Sequence, residues 1–144
     1  MHRDYSHEIT VYRPFSEAIQ LFSPKGEETW VPGWNPNYIV PSTGETREEM
    51  IFTTGDGEET TFWTCLKWQP KRGHARYFRL TPQSRVGIVD VQCQTEGSDR
   101  TRVRVNYQMQ PLSSAGHSYL DAMTQSAFVS MIDEWASLIQ KLDK

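Results

Sequence analysis

Residues 101–142 read TRVRVNYQMQPLSSAGHSYLDAMTQSAFVSMIDEWASLIQKL, and the period of the apolar side chains changes once along them. From Thr101 to Met109 the alternation is strict. Val103, Val105, Tyr107 and Met109 fall on one face and Arg102, Arg104, Asn106 and Gln108 on the other, the pattern of a half-buried β-strand. After Pro111 the spacing becomes helical. Leu120, Met123, Ala127, Phe128, Met131, Ile132, Trp135, Leu138, Ile139 and Leu142 define one wide apolar arc, and Ser113 or Ser114 can cap its start. The spacing predicts a single amphipathic helix from about Gly116 to the chain end, with Trp135 anchored mid-arc against a sheet.

Upstream, the strand pattern recurs. Tyr5 to Arg13 alternates through Ile9 and Val11 until Pro14 stops it. Ser16 to Phe22 places Ala18, Ile19, Leu21 and Phe22 at helical spacing, with Ser16 as cap and Pro24-Lys25-Gly26 as the end of a short helix. Trp30 to Gly44 is too dense in Pro and Gly for a long element. Strands are then predicted over 50–54, 60–69, 75–80, 85–95 and 101–109, parted by turns such as Gly55-Asp56-Gly57 and Lys71-Arg72-Gly73. No helix separates them, so they form an antiparallel meander. The second of these strands is apolar on both faces, through Phe62, Leu66 and Trp68 and through Trp63 and Cys65, which a bulge would reconcile.

Composition narrows the class. A chain of 144 residues, 37% hydrophobic and 12% aromatic at a net charge of −3, is too apolar for disorder and suits one core, so residues 1–144 read as one domain. A pI of about 5.8 argues against nucleic acid as a partner. The best apolar run, Val86 to Val91, is interrupted by Asp90 and falls far short of a bilayer span, so no integral membrane association is expected. No apolar segment follows Met1-His2-Arg3-Asp4, which speaks against a signal peptide and for a cytoplasmic protein. Two cysteines rule out a disulfide scaffold. Cys65 and Cys93 fall on strands parted by a third, and two steps of about 4.7–4.9 Å are too far for a bridge. His2, His7, His74 and His117 lack metal-ligand spacing, so no metal and no cofactor are expected.

The order strand, short helix pair, six-strand meander and long C-terminal amphipathic helix is similar to the helix-grip fold. That is the fold of the START-like (SRPBCC) superfamily, which includes plant pathogenesis-related allergens, polyketide cyclases and lipid-transfer domains. Trp30-Val31-Pro32-Gly33-Trp34-Asn35-Pro36 resembles the tryptophan-rich turn of a bacterial subset, as does Thr101-Arg102-Val103-Arg104-Val105 leading into Leu112-Ser113-Ser114-Ala115-Gly116. The resemblance spans about Tyr5 to Leu142. It implies an α+β fold: a curved antiparallel sheet of about seven strands wrapped round a long C-terminal helix, two short helices after the first strand, and a mostly apolar cavity between sheet and helix. Function does not follow from fold alone.

No nucleophile elbow, zinc signature or phosphate cradle is present, so no catalytic residue is assigned. The acidic cluster from Glu45 to Glu59 lacks calcium-loop spacing, and Arg100, Arg102 and Arg104 read as the solvent face of a strand. The aromatics remain. Candidate ligand-binding residues are Trp30, Trp34 and Tyr38 around the Pro32-Gly33 turn, Phe52, Trp63, Tyr77 and Tyr107 on the strands, and His117, Thr124 and Phe128 on the helix. At about 100° per residue His117 and Thr124 fall near the centre of the apolar arc, where they are expected as polar handles at the N-terminal end of the cavity.

These features favour binding of a small hydrophobic molecule, a lipid among the options, by a monomer or homodimer without turnover. One rival is a cyclase or dehydratase acting on an aromatic or polyketide-like substrate, for which His117, Asp90 and Tyr107 are the available acid–base groups. The other is a chaperone-activator-like interaction domain, which would want an exposed apolar patch. Trp135→Ala is expected to cost roughly 3–5 kcal/mol if the ring is fully buried. An unchanged thermal midpoint would instead place Trp135 on the surface.

Overall fold

The computed structural model describes residues 2–143. Its strands are β1 (Arg3–Val11), β2 (Asn37–Val40), β3 (Ile51–Thr54), β4 (Thr61–Gln69), β5 (His74–Thr81), β6 (Arg85–Gly97) and β7 (Arg100–Pro111). The helices are α1 (Phe15–Gln20), α2 (Pro24–Glu27), α3 (Ser114–Ala122) and α4 (Gln125–Gln140). All seven strands join in one antiparallel sheet of order β1-β7-β6-β5-β4-β3-β2. This is the helix-grip α+β architecture.

The meander follows the expected periods closely, because its turns are set by local chemistry. Gly55, Gly57 and Gly73 take positive φ at the hairpin ends. The strand with two apolar faces is bulged: its register with β5 shifts between Cys65 and Lys67. Trp63 and Cys65 turn inward while Phe62 and Leu66 remain exposed. Cys65 and Cys93 are free, buried thiols, pushed up to about 12 mainly by loss of solvation. Among the described residues no helix is long and apolar enough to cross a membrane.

Two expectations near the helices are corrected. Pro24 does not end a helix but begins α2, at a first-turn position where its missing N–H is no loss. Ser23 caps that turn by accepting from the Gly26 N–H at 2.9 Å. The C-terminal helix is not continuous either. Met123 leaves helical geometry (φ −86°, ψ 77°), and Thr124, with ψ 166°, restarts the helix as its N-cap. The Thr124 hydroxyl accepts the Ala127 N–H at 3.1 Å, a local bond that competes with helix continuation. The apolar arc that spans both pieces in the sequence therefore belongs to two helices with separate phases.

The core lies between the concave sheet face and α1, α2 and α4. Ala18, Ile19 and Phe22 come from the α1 region, Phe128, Ile132 and Ile139 from α4, and Val103, Val105, Tyr107 and Met109 from β7. Trp135 is half-buried, packing on Trp30 at 5.6 Å and near Phe22 and Tyr107. The full-burial condition on Trp135→Ala is thus not met, and its cost moves to the lower end of the range.

At the far end of the sheet, α3 is tied to the β5–β6 turn. Leu112 N–H donates to Ser84 O at 2.7 Å, and Gly116 lies so close that an added Cβ would stand 1.8 Å from that same oxygen. Gly116→Ala is expected to push α3 off the turn, costing roughly 1–3 kcal/mol or more. Thermal unfolding should show a midpoint several degrees lower; an unchanged midpoint would mean that α3 is not held against the turn.

Candidate functional site

A pocket of about 270 Å³ lies between the concave sheet face and α4. Two cross-strand rows build its sheet wall. Phe52, Trp63 and Arg79 are direct neighbours on β3, β4 and β5, and Tyr77, Val89 and Tyr107 on β5, β6 and β7. Phe52 and Trp63 stack face to face, 5.7 Å apart and 4° from parallel. Trp34, in the turn after α2, meets both edge-on at 6.0 and 5.6 Å. Pro24, Glu27 and Val31 close this side, and Met131 and Trp135 of α4 the opposite one.

The polar edges of these rings are already used within the protein. Trp34 Nε1 donates to Pro24 O at 2.9 Å, Trp63 Nε1 to Thr54 Oγ1 at 3.0 Å, and the Tyr77 hydroxyl to Phe22 O at 2.8 Å. What the rings offer a guest is therefore mainly π surface. Two polar groups differ. Glu27 borders the pocket and makes no side-chain hydrogen bond or ion pair among the described residues. Loss of solvation raises its carboxyl well above the ordinary carboxylate range, and the positive charge of Arg79 offsets this only in part. The Tyr77 and Tyr107 phenols are raised too, first by burial and then by Glu27 for Tyr77, so both stay neutral donors or acceptors. Arg79 lies over the Trp63 ring, its guanidinium carbon 4.8 Å from the ring centre. Its Nε is buried without a hydrogen-bond partner.

Of the residues expected at the site, Trp34, Phe52, Trp63, Tyr77 and Tyr107 border the pocket. The others do not. Trp30 is buried behind the wall, donating to Leu21 O at 2.8 Å and packing on Phe22 and Trp135. Tyr38 turns to Glu28 and carries Lys25 over its ring at 4.6 Å. Phe128 fills the core between Tyr5 and Tyr107. His117 and Thr124 are corrected outright: both are exposed, because the break at Met123 rotates them away from the arc on which a continuous helix would place them. The pocket lies instead beside Met131 and Trp135 of α4.

Asp90, held as a possible acid or base, is also on the wrong face. It sits on the outer side of the sheet bound to His74, Arg76 and Gln92. Burial would raise its carboxyl, but these partners outweigh that and hold it below the ordinary range.

Glu27 and Arg79 had not been singled out from sequence. Arg79 did carry a signal, since it falls in period-two phase with the inward-facing Ala75 and Tyr77. Glu27 carried none, because its place in the pocket depends on how α2 folds over the sheet. Among the described residues no cluster of three His, Cys, Asp or Glu side chains could hold a metal ion.

No family model matches the sequence, and no curated protein matches it. Solved structures do share the fold. Norcoclaurine synthase from Thalictrum flavum, in complex with dopamine and hydroxybenzaldehyde, superposes with a TM-score of 0.67 at 11% identity, covering 98% of this chain and 88% of that one. The Zhui aromatase/cyclase from Streptomyces sp. R1128 gives 0.65 at 13% identity, covering 100% and 97%. The di-domain aromatase/cyclase BexL gives 0.69 at 13% identity, covering 96% of this chain and 46% of that longer one. At such identities the likeness concerns the fold.

The raised Glu27 carboxyl carries a stability prediction with a definite sign. Between the ordinary carboxylate value of 4.5 and the higher folded value, the native state holds a proton that the unfolded chain has released, so stability falls as pH rises. Arg79, Tyr38, Tyr77 and Tyr107 are the charged or titratable groups electrostatically coupled to this carboxyl. Glu27→Gln should unfold at a higher denaturant concentration than the wild type near neutral pH, and the difference should vanish toward about pH 4. A difference that grows on acidification would show that Glu27 is ionised in the native state.

Proposed function

We propose that residues 1–144 form one ligand-binding domain that holds a small, largely aromatic molecule in the pocket between sheet and α4. The observation that carries this reading is the wall of Trp34, Phe52 and Trp63, whose rings border a space while both indole N–H groups are already bonded within the protein. Ligand sites are typically apolar clefts with a few placed polar groups, and this one has Glu27, Arg79 and Tyr107. Its volume of about 270 Å³ limits the guest. An apolar cavity of roughly 150 Å³ accommodates benzene, so two fused rings are a reasonable upper size. Norcoclaurine synthase, solved with dopamine and hydroxybenzaldehyde, supports small aromatic guests for this fold. Buried free thiols agree with a reducing, cytoplasmic setting.

A second reading, cyclase- or dehydratase-type chemistry, is favoured by one specific observation. Glu27 is a carboxyl without a hydrogen-bond partner that borders the pocket, and burial raises it well above the ordinary carboxylate range, as in carboxyls that act as general acids. In that case Glu27 would give a proton to a bound aromatic precursor while Arg79 stabilised charge developing on its oxygen. The aromatase/cyclases of the same fold make this reading concrete.

Titrating the protein with naphthalene while following tryptophan fluorescence tests the binding reading. Saturable quenching is expected, and Trp34→Ala, checked for folding by circular dichroism, should weaken it several-fold. Linear, non-saturating quenching in both proteins would refute it.

A further inference from the structure

Arg79 differs from the other enclosed arginines of this fold. Arg3 donates to Leu120 O at 3.2 Å, Arg76 to Asp90 at 2.9 Å, and Arg85 to Glu59 at 3.1 Å, so each has an oxygen acceptor. Arg85 is the informative contrast. Its side chain is only 5% exposed, it stacks on Tyr119, and Glu59 supplies its counter-charge beside a surface groove. Arg79 has the aromatic partner without the anion. It lies over Trp63, and among the described residues it makes no hydrogen bond and no ion pair. A guanidinium taken from water loses hydration that a ring face restores only in part. The protein thus presents a fixed, uncompensated cation to an otherwise aromatic pocket.

Glu27 is the carboxyl on the same pocket wall, yet the two side chains form no ion pair. Burial raises the Glu27 carboxyl well above the ordinary carboxylate range, which weakens it as a counter-ion for Arg79. Arg79 is then the pocket's fixed charge, without an ion-pair partner among the described residues. A ligand amine would meet Arg79 as a like charge, while a ligand anion would meet a cation.

We infer that the pocket selects planar aromatic acids, with the ring against the wall of Trp34 and Trp63 and the ligand carboxylate on Arg79. The inference rests on the pocket being a ligand site and adds the charge class of its ligand. It makes Arg79 the residue that sets specificity. An Arg fork matches a carboxylate in two parallel hydrogen bonds, which gives orientation as well as affinity.

Three probes of one size test this on the intact protein: naphthalene, 2-naphthoate and 2-(aminomethyl)naphthalene, titrated by tryptophan fluorescence at pH 7.5 and low salt. The naphthoate should bind at least about tenfold more tightly than naphthalene, given the strength of charge-assisted hydrogen bonds. The amine should bind more weakly than naphthalene. Arg79→Gln should abolish the naphthoate's advantage, read as the ratio of naphthoate to naphthalene affinity within the same variant, and Glu27→Gln should preserve it.

If Arg79→Gln fails to fold, the wild-type ranking still decides. So does the Arg79 Nε–H resonance, which should shift with naphthoate and stay in place with naphthalene. Naphthalene binding with no preference for the acid, or a preference that survives Arg79→Gln in folded protein, overturns the inference and leaves the pocket reading intact. Failure of all three probes to bind overturns the pocket reading and the inference together.

Discussion

The structure depends on one packing constraint: a single amphipathic helix must bury the concave face of a seven-stranded sheet that is wider than the helix. α4 packs most extensively on β1, at one end of the strand order, while α1 covers part of β6 and β7. The concave side of β3, β4 and β5 is then closed chiefly by side chains and by the turn after α2. Large rings bridge that distance where backbone does not. Trp34, Phe52 and Trp63 meet edge-on and stacked, Trp135 packs on Trp30, and the space these rings fail to fill is the pocket. In this chain a high aromatic content and a pocket share one cause.

The same constraint explains why charge is found inside. The first row of the sheet wall runs Phe52, Trp63, Arg79, Gly87 and Met109 across five strands. Gly87 has no room for a side chain, since an added Cβ would stand 2.1 Å from the Met109 sulfur. Arg79 is therefore flanked by Trp63 on one side and bare backbone on the other, which lets its chain lie along the indole. A carboxyl in place of Gly87 would have given it a counter-ion. Glu27 reaches the pocket from α2 and makes no ion pair with Arg79, so both line one space without a salt bridge between them.

Much of this was legible in the sequence, and the limits are physical. The strands could be placed because alternation and turn chemistry are local: Gly73 and the Thr81-Pro82 step act where they stand. Thr124 was not legible as a helix break, because Leu120, Met131 and Trp135 keep their helical spacing through it. Only the competition between its hydroxyl and the continuing helix decides. Pro24 was ambiguous for a similar reason, since a proline both ends and begins helices, and Ser23 settles which. Phe52, Tyr77 and Tyr107 reached the pocket because side chains alternate across a strand, Trp63 because the bulge settles its face, and Trp34 from a turn. His117 missed it because helix phase does not survive a break.

The central claim is that an open aromatic pocket holds an arginine with no counter-ion of its own. A crystal structure of the ligand-free protein grown near neutral pH tests it most directly. The account predicts clear space between Trp34, Trp63, Trp135 and Tyr107, with Arg79 over the Trp63 ring and Glu27 outside ion-pair distance. A structure in which Glu27 and Arg79 form a salt bridge across a collapsed pocket would contradict it.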